Sequence, residues 1–246
     1  MDQALWITWY DLPDNGRDAH ISWVHNTYIP KVLERSGVLW AAHYASEENN
    51  IPLGGGKGRV KHNVKTDSVE AGDRFILMFG GSGSQVFVNP NRHKFHAALP
   101  DSDQKMLAMR IGERVNIMLP DATIYGPEAK HPVPDIAPSA GIQLGSFNSG
   151  SYKDEEEIAT WYAQWRLPSL KTLPGVVRVR KLISVAGWAK HACFYEFTSV
   201  EARNEHFIYY ERPNPEMEAW SREMVRNLVH SPRGTNLARR IWPPVG

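Results

Sequence analysis

The chain has 246 residues, 42% of them hydrophobic and 22% charged, a globular composition large enough for one or two domains. Its formal net charge of +1 supplies no bulk field for nucleic acid or a membrane surface, and the single Cys193 excludes an intramolecular disulfide. No apolar run approaches the roughly 20 residues of a bilayer span, and Met1-Asp2 leads into a strand-like run rather than a signal peptide. These features predict a cytoplasmic globular protein with no nucleic-acid or membrane partner.

In chain order, Leu5–Tyr10 is β-branched and aromatic and reads as a strand, and Asp14-Asn15-Gly16 as a turn. Ile21, Val24, Tyr28 and Val32 recur at spacings of three and four, the stripe of an amphipathic helix. Pro30 interrupts that stripe and must kink or end the helix. Val38–Ala45 and Phe75–Phe79 read as strands, and a helix capped by Asp101 or Ser102 is predicted through Met106, Met109 and Val115. Ala122–Tyr125 makes a short closing strand. The second half repeats the order: strand Ile142–Phe147, helix Asp154–Leu173 containing Pro168, and strands Val176–Ile183 and Ala192–Phe197. A helix capped by Ser199 then reaches about Tyr210, a helix covers Glu216–Leu228, and strand Leu237–Trp242 closes the chain.

The two halves match without a gap. Residues 21–46 align with 159–184 at a constant offset of 138, with Trp23 on Trp161, Pro30 on Pro168, Gly37 on Gly175, Val38 on Val176 and Ser46 on Ser184. A repeat of that length means two copies of one supersecondary unit. The expected organisation is a first half at 1–126, a Pro-rich linker at 127–140 and a second half at 141–246. A β-α-β-β-α-β order is the ferredoxin-like split unit. Two such units, each with helices on one sheet face, can bury their bare faces against each other. The predicted fold class is therefore α+β: two tandem ferredoxin-like units whose antiparallel sheets pack into an α/β barrel.

Trp161-Tyr162, Pro168 and then Pro174-Gly175-Val176 before an Arg-bearing strand resemble the EthD-like branch of the dimeric α/β-barrel superfamily, with its W-Y-x-x-E-H-x-P helix and P-G-F-x-R strand. The resemblance covers both halves. It implies the barrel fold and activities that range over cofactor-free monooxygenases, lactone isomerases, polyketide cyclases, dehydratases and haem enzymes. The chain departs from the pattern at Glu-His, which is Thr27-Tyr28 in one copy and Trp165-Arg166 in the other, so no family role passes to those positions.

Strand alternation puts Leu39, Ala41, His43 and Ala45 on one face, and Val177, Val179, Lys181 and Ile183 on the matching face of the second copy. One ionisable group on an apolar face has its charged form disfavoured, which suits His43 and Lys181 to acid–base work near neutral pH. A strand-end side chain that reaches water is the plain alternative. Trp40 stands on the opposite face as a candidate pocket-lining ring. His25 and Tyr28 share a helix face and could flank His43, and Arg166 could hold a carboxylate or enolate oxygen. His191 and Tyr195 share a strand face around Cys193; His206 is a further lone imidazole. His93 and His96 lie three apart, but no metal-ligand motif surrounds them. Leu53–Arg59 could form a lid carrying Lys57 and Arg59.

The expected function is a cofactor-independent isomerase, cyclase or lyase acting on a small aromatic or polyketide-like carbonyl or hydroxyl compound. His43 is the expected base, helped by Tyr28 and His25. Lys181, Arg166, Trp40, His191 and Tyr195 are expected to contact substrate, and a homodimer is possible on this reading. Two rivals stand: a haem-dependent or cofactor-free oxygenase, and a non-catalytic barrel that binds a small ligand.

Overall fold

A computed structural model of the protein describes residues 2–47, 62–64, 68–129 and 137–245. The first half runs through strand β1 (Ala4–Asp11), the helical segments Arg17–Trp23, Val24–Tyr28 and Ile29–Leu33, and strands β2 (Val38–Ser46) and β3 (Phe75–Gly81). The short helices Gln85–Val88, Arg92–Ala97 and Asp101–Leu107 then lead into β4 (Ile111–Tyr125). The second half has β5 (Gly141–Asn148), the helical segments Tyr152–Trp161, Tyr162–Arg166 and Leu167–Leu170, and strands β6 (Val176–Gly187) and β7 (His191–Phe197). Helices Val200–His206 and Pro215–Asn227 precede β8 (Asn236–Trp242). Two-residue strands at His62–Asn63 and Val229–His230 extend the sheet beside β5.

The strands of the halves are ordered β2-β3-β1-β4 and β6-β7-β5-β8, the ferredoxin-like arrangement in each case. Two antiparallel seams join them. β4 pairs with β6 from Asn116↔Gly187 to Tyr125↔Arg178, and β8 pairs with both β2 and β5. The result is a closed eight-stranded antiparallel barrel with helices outside, the α+β class that the sequence predicts.

Closure explains the burial pattern of the strands. Leu5, Ile7 and Trp9 of β1 point into the barrel with Trp40, Met78 and Phe194, while Ala4, Trp6 and Tyr10 point outward under the helices. The strand is therefore buried on both sides. A β-bulge between Val38 and Trp40 shifts the expected alternation by one at the start of β2: Leu39 packs with the barrel core and Val38 with the outer layer. A bulge between Val176 and Arg178 likewise puts Val176 beside Val179 in the outer layer.

The predicted helix through Met106, Met109 and Val115 is corrected. It ends at Leu107, and one strand covers Ile111–Tyr125. Gly112 makes the change of direction with φ +59, at a place where an added Cβ would stand 2.7 Å from the Gly72 backbone nitrogen. From there Val115, Ile117 and Leu119 face the outer layer and Met118 the barrel. That is a period of two, which the 106/109/115 spacing concealed.

Both prolines are accommodated in the same way. Val24–Tyr28 and Tyr162–Arg166 are π-helical turns, and Pro30 and Pro168 sit in the first turn of the α-helix that follows. The expected kinks are thus π turns, which take in one extra residue per turn and re-aim side chains. Their starting residues, 24 and 162, keep the offset of 138 seen in the sequence.

A Cβ on Gly80 would lie 2.1 Å from the Trp40 ring inside the barrel. Gly80→Ala is expected to destabilise the fold by about 1–3 kcal/mol through overpacking. An unchanged urea midpoint would mean that Trp40 is not packed as described.

Candidate functional site

The site is best built outward from His43. Its strand position turns it away from the barrel toward the helices, where it is completely buried. The Tyr10 hydroxyl lies 2.8 Å from its Nε2, and His25 Nε2 lies 2.9 Å from its Nδ1. A neutral imidazole donates through one nitrogen and accepts through the other, so these two neighbours fill its bonding capacity. Burial drives its pKa well below the usual histidine value, and His25, Arg110 and His20 add to the shift. The expected depression is present, but His43 cannot itself touch a substrate.

His25 is the exit of this chain. It is half-buried in the first π turn, and burial lowers its pKa from the ordinary value. Trp242 pairs with His43 across the β2–β8 seam, and its ring centroid lies 6.3 Å from that of His25. The last strand of the second half therefore completes a site in the first. Tyr10 and Trp242 were missed from sequence. Their signal was positional only: Tyr10 ends an outward-facing run on β1, and Trp242 closes the chain.

Tyr28 does not join this chain. It is buried, its hydroxyl lies 2.7 Å from His96 Nε2, and burial raises its pKa to about 12. The Arg110 guanidinium stands 4.6 Å from the Tyr10 ring centroid and 5.2 Å from that of Tyr28. Glu113 pairs with Arg110 at 2.8 Å and also with Arg92. His20 packs fully buried against Tyr10 and Trp23.

The other candidates have structural partners. Trp40 lies in the barrel core. Lys181 is no isolated cation, because Asp121 pairs with it. Arg166 is held by Glu211 and ringed by Trp161, Tyr195, Phe207 and Tyr210. Its Nε donates to the Tyr195 hydroxyl at 3.1 Å. His191 stacks on Phe147, 3.5 Å from Glu155, and shares no bond with Tyr195. His206 has Glu205 at 3.8 Å. His93 is exposed and His96 is bound to Tyr28, and among the described residues no three His, Cys, Asp or Glu side chains gather as a metal site. Leu53–Arg59, with Lys57 and Arg59, lies outside the described residues.

No known sequence family and no curated protein matches the chain. Solved structures do match. An anthrone oxidase-like protein shares the fold at TM-score 0.59 and 11% identity, over 98% of this chain and 91% of that one. A candidate monooxygenase from Fusobacterium nucleatum gives TM-score 0.54 and 9% identity over 97% and 91%. A dye-decolorizing protein from V. cholerae gives TM-score 0.51 and 10% identity over 98% and 94%. At such identities the likeness establishes the barrel fold.

The matches also include a candidate chlorite dismutase, at TM-score 0.50 and 12% identity over 98% and 95%. With it and the dye-decolorizing protein among the matches, the expectation that no cofactor is involved is withdrawn. Haem, the rival cofactor named from the sequence, is the group to test, and the residues of the described cleft do not fit it. A cleft of about 500 Å³ opens at the barrel mouth, and it is lined by Asp2, Gln3, residues 83–85, Leu119, Pro120, Thr123, Tyr125, Arg178 and Arg180. No histidine, cysteine or methionine is among them. Both nitrogens of His43 are engaged, and His20 and His191 are packed against rings.

The buried imidazoles make stability depend on pH. Burial, with Arg110, pushes His20 down to about 4, and His96 is also lowered to about 4. An unfolded histidine titrates near 6.5, so the unfolded chain takes up protons first as pH falls. The stabilisation is complete above about pH 6.5 and is lost toward pH 4. The urea midpoint is expected to fall between pH 7 and pH 5, with His20 alone contributing on the order of 2 kcal/mol. The loss should shrink in His20→Phe. Equal midpoints at the two pH values would contradict the buried, neutral state.

Proposed function

We propose that the protein is an oxidoreductase of the oxidase or monooxygenase kind, acting on a small aromatic compound with an acidic C–H or O–H bond, and that His25 is its base. The observation that carries this reading is the hydrogen-bonded chain from Tyr10 through His43 to His25, which ends at a half-buried imidazole beside the Trp242 ring. The fold likeness to an anthrone oxidase-like protein and a candidate monooxygenase supports oxidation over the isomerase, cyclase or lyase alternative.

In this reading His25 takes the substrate proton on Nδ1 while its Nε2–H is held by His43 Nδ1. Tyr10 accepts from His43 Nε2–H and so fixes the tautomer that leaves His25 basic. Desolvation of His43 keeps the positive charge on His25, at the wet end. The carbanion or phenolate left behind is the electron-rich form that dioxygen oxidises. For a CH₂ carbon the overall change is CH₂ + O₂ → C=O + H₂O. Trp242 offers a flat face against which an aromatic substrate can stack.

The second half serves as framework in the same reading, because Arg166, Tyr195 and Lys181 already have protein partners. The matched π turns support descent of both halves from one duplicated unit, divided at residues 127–140.

Oxygen uptake with anthrones and naphthols tests the proposal. Wild-type protein is expected to consume oxygen, and His25→Ala to lose about 10²- to 10⁴-fold in rate. The rate constant kcat/KM should be flat above about pH 6.5 and fall in acid, as the lowered His25 pKa is crossed. Full activity in His25→Ala would remove it as base, and no uptake across the panel would remove the oxidative reading.

A further inference from the structure

Arginine closes the barrel interior at both ends, and the two closures differ. At the end where β1 begins, Arg178 and Arg180 meet two carboxylates. Arg180 pairs with Asp2 and, at 3.1 Å, with Glu196, and Arg178 lies 2.6 Å from Glu196. Charge is balanced there. At the end where Trp9 lies, Arg114 stands without any described carboxylate in ion-pair contact. Its Nη1 donates to Ser146 Oγ at 3.1 Å and to the Trp188 carbonyl at 3.2 Å, and its guanidinium carbon is 3.8 Å from the Trp9 ring centroid. Its Nε has no partner, and no described group bonds Nη2.

Among the described residues each other buried arginine differs in one respect: Arg110 also leaves Nε and Nη2 unbonded but has a carboxylate partner, and Arg203 has no carboxylate but bonds through every nitrogen. Arg166 has Glu211, Arg110 has Glu113, and the Arg203 guanidinium donates to Gln143 and Asn204 through all three nitrogens. Arg114 is only 6% exposed. Burial lowers its pKa to about 9, with Asp73 opposing the shift, so it is still a cation at neutral pH. A buried charge without a counter-ion is costly, and a chain that keeps one retains it against a cost that a bound anion would relieve.

We propose that Arg114 is the anchor of a binding site for a small monocarboxylate at the Trp9 end of the barrel. The unbonded Nε–Nη2 edge is the side of a guanidinium that grips both oxygens of a carboxylate at once. Trp9 covers one flat face of the guanidinium, which leaves the in-plane edge as the side a ligand can meet. The nearby Asp73 opposes a dianion such as phosphate more than a single carboxylate charge. The site lies on the inner face of the sheet, whereas His43 faces outward, so it stands independently of the proposed oxidation.

Thermal unfolding at pH 7 tests it, with sodium acetate exchanged for sodium fluoride at constant ionic strength. Wild-type protein is expected to gain about 2–4 °C in Tm, saturating with acetate. Arg114→Met, with its fold checked by circular dichroism, should lose the gain, and Arg114→Lys should lose most of it because the fork is gone. Absence of a saturating rise, or the same rise in Arg114→Met, would overturn the proposal. If neither variant folds, high-resolution crystals of the wild-type protein in acetate decide. A carboxylate on Nε and Nη2 supports the site, and an edge occupied only by water under saturating acetate overturns it.

Discussion

Closing two four-stranded sheets on each other buries most of the strands on both sides, with exposed stretches confined to parts of β4, β6 and β8. One side of each strand looks into the barrel and much of the other lies under helices, so a polar side chain buried there must be satisfied by the protein or by something bound to it. The seams make this possible. β4 runs across the junction to pair with both β1 and β6, and β8 crosses back to pair with β2 and β5. The other features of the molecule follow from that closure.

The two layers solve the polar problem by different means. Inside the barrel, charge is matched at one end by Asp2 and Glu196 against Arg178 and Arg180. In the outer layer of the second half, Glu211 and the Tyr195 hydroxyl complete Arg166, and Asp121 meets Lys181. These arrangements are finished, and a finished network stabilises rather than reacts. In the outer layer of the first half, the chain Tyr10–His43–His25 is finished at its buried end and open where His25 meets Trp242. A neutral relay with one end at the surface can pass a proton to or from a ligand, which a closed network cannot.

The fold was legible in sequence because it rests on repeated, local signals. Alternation marked the strands, and Trp, Pro and Gly held in register at an offset of 138 marked the pairing of halves. What failed was equally local. A period-two strand after Gly112 was hidden by methionines at helical spacing, and two bulges shifted Leu39 and Val176 by one place. The site was only partly legible. His43 and His25 stood out as ionisable groups on patterned faces, but their neighbours, Tyr10 and Trp242, come from β1 and from the far end of the chain. Lys181 and Arg166 looked isolated because Asp121 and Glu211, their partners, are 60 and 45 residues away. Sequence spacing carries no trace of a pairing made by the tertiary fold.

Everything proposed for the site depends on His43 being a neutral ring held between a phenol and a second imidazole. Nitrogen-15 NMR of the histidine side chains reads protonation state and tautomer directly. The expected result is a His43 ring that stays in one neutral tautomer from pH 8 down to about 5.5, near where an exposed imidazole would already be mostly charged. In Tyr10→Phe the tautomer preference should weaken while the ring remains neutral. A His43 ring that titrates near 6.5, or that exchanges freely between tautomers in the wild-type protein, would contradict the account.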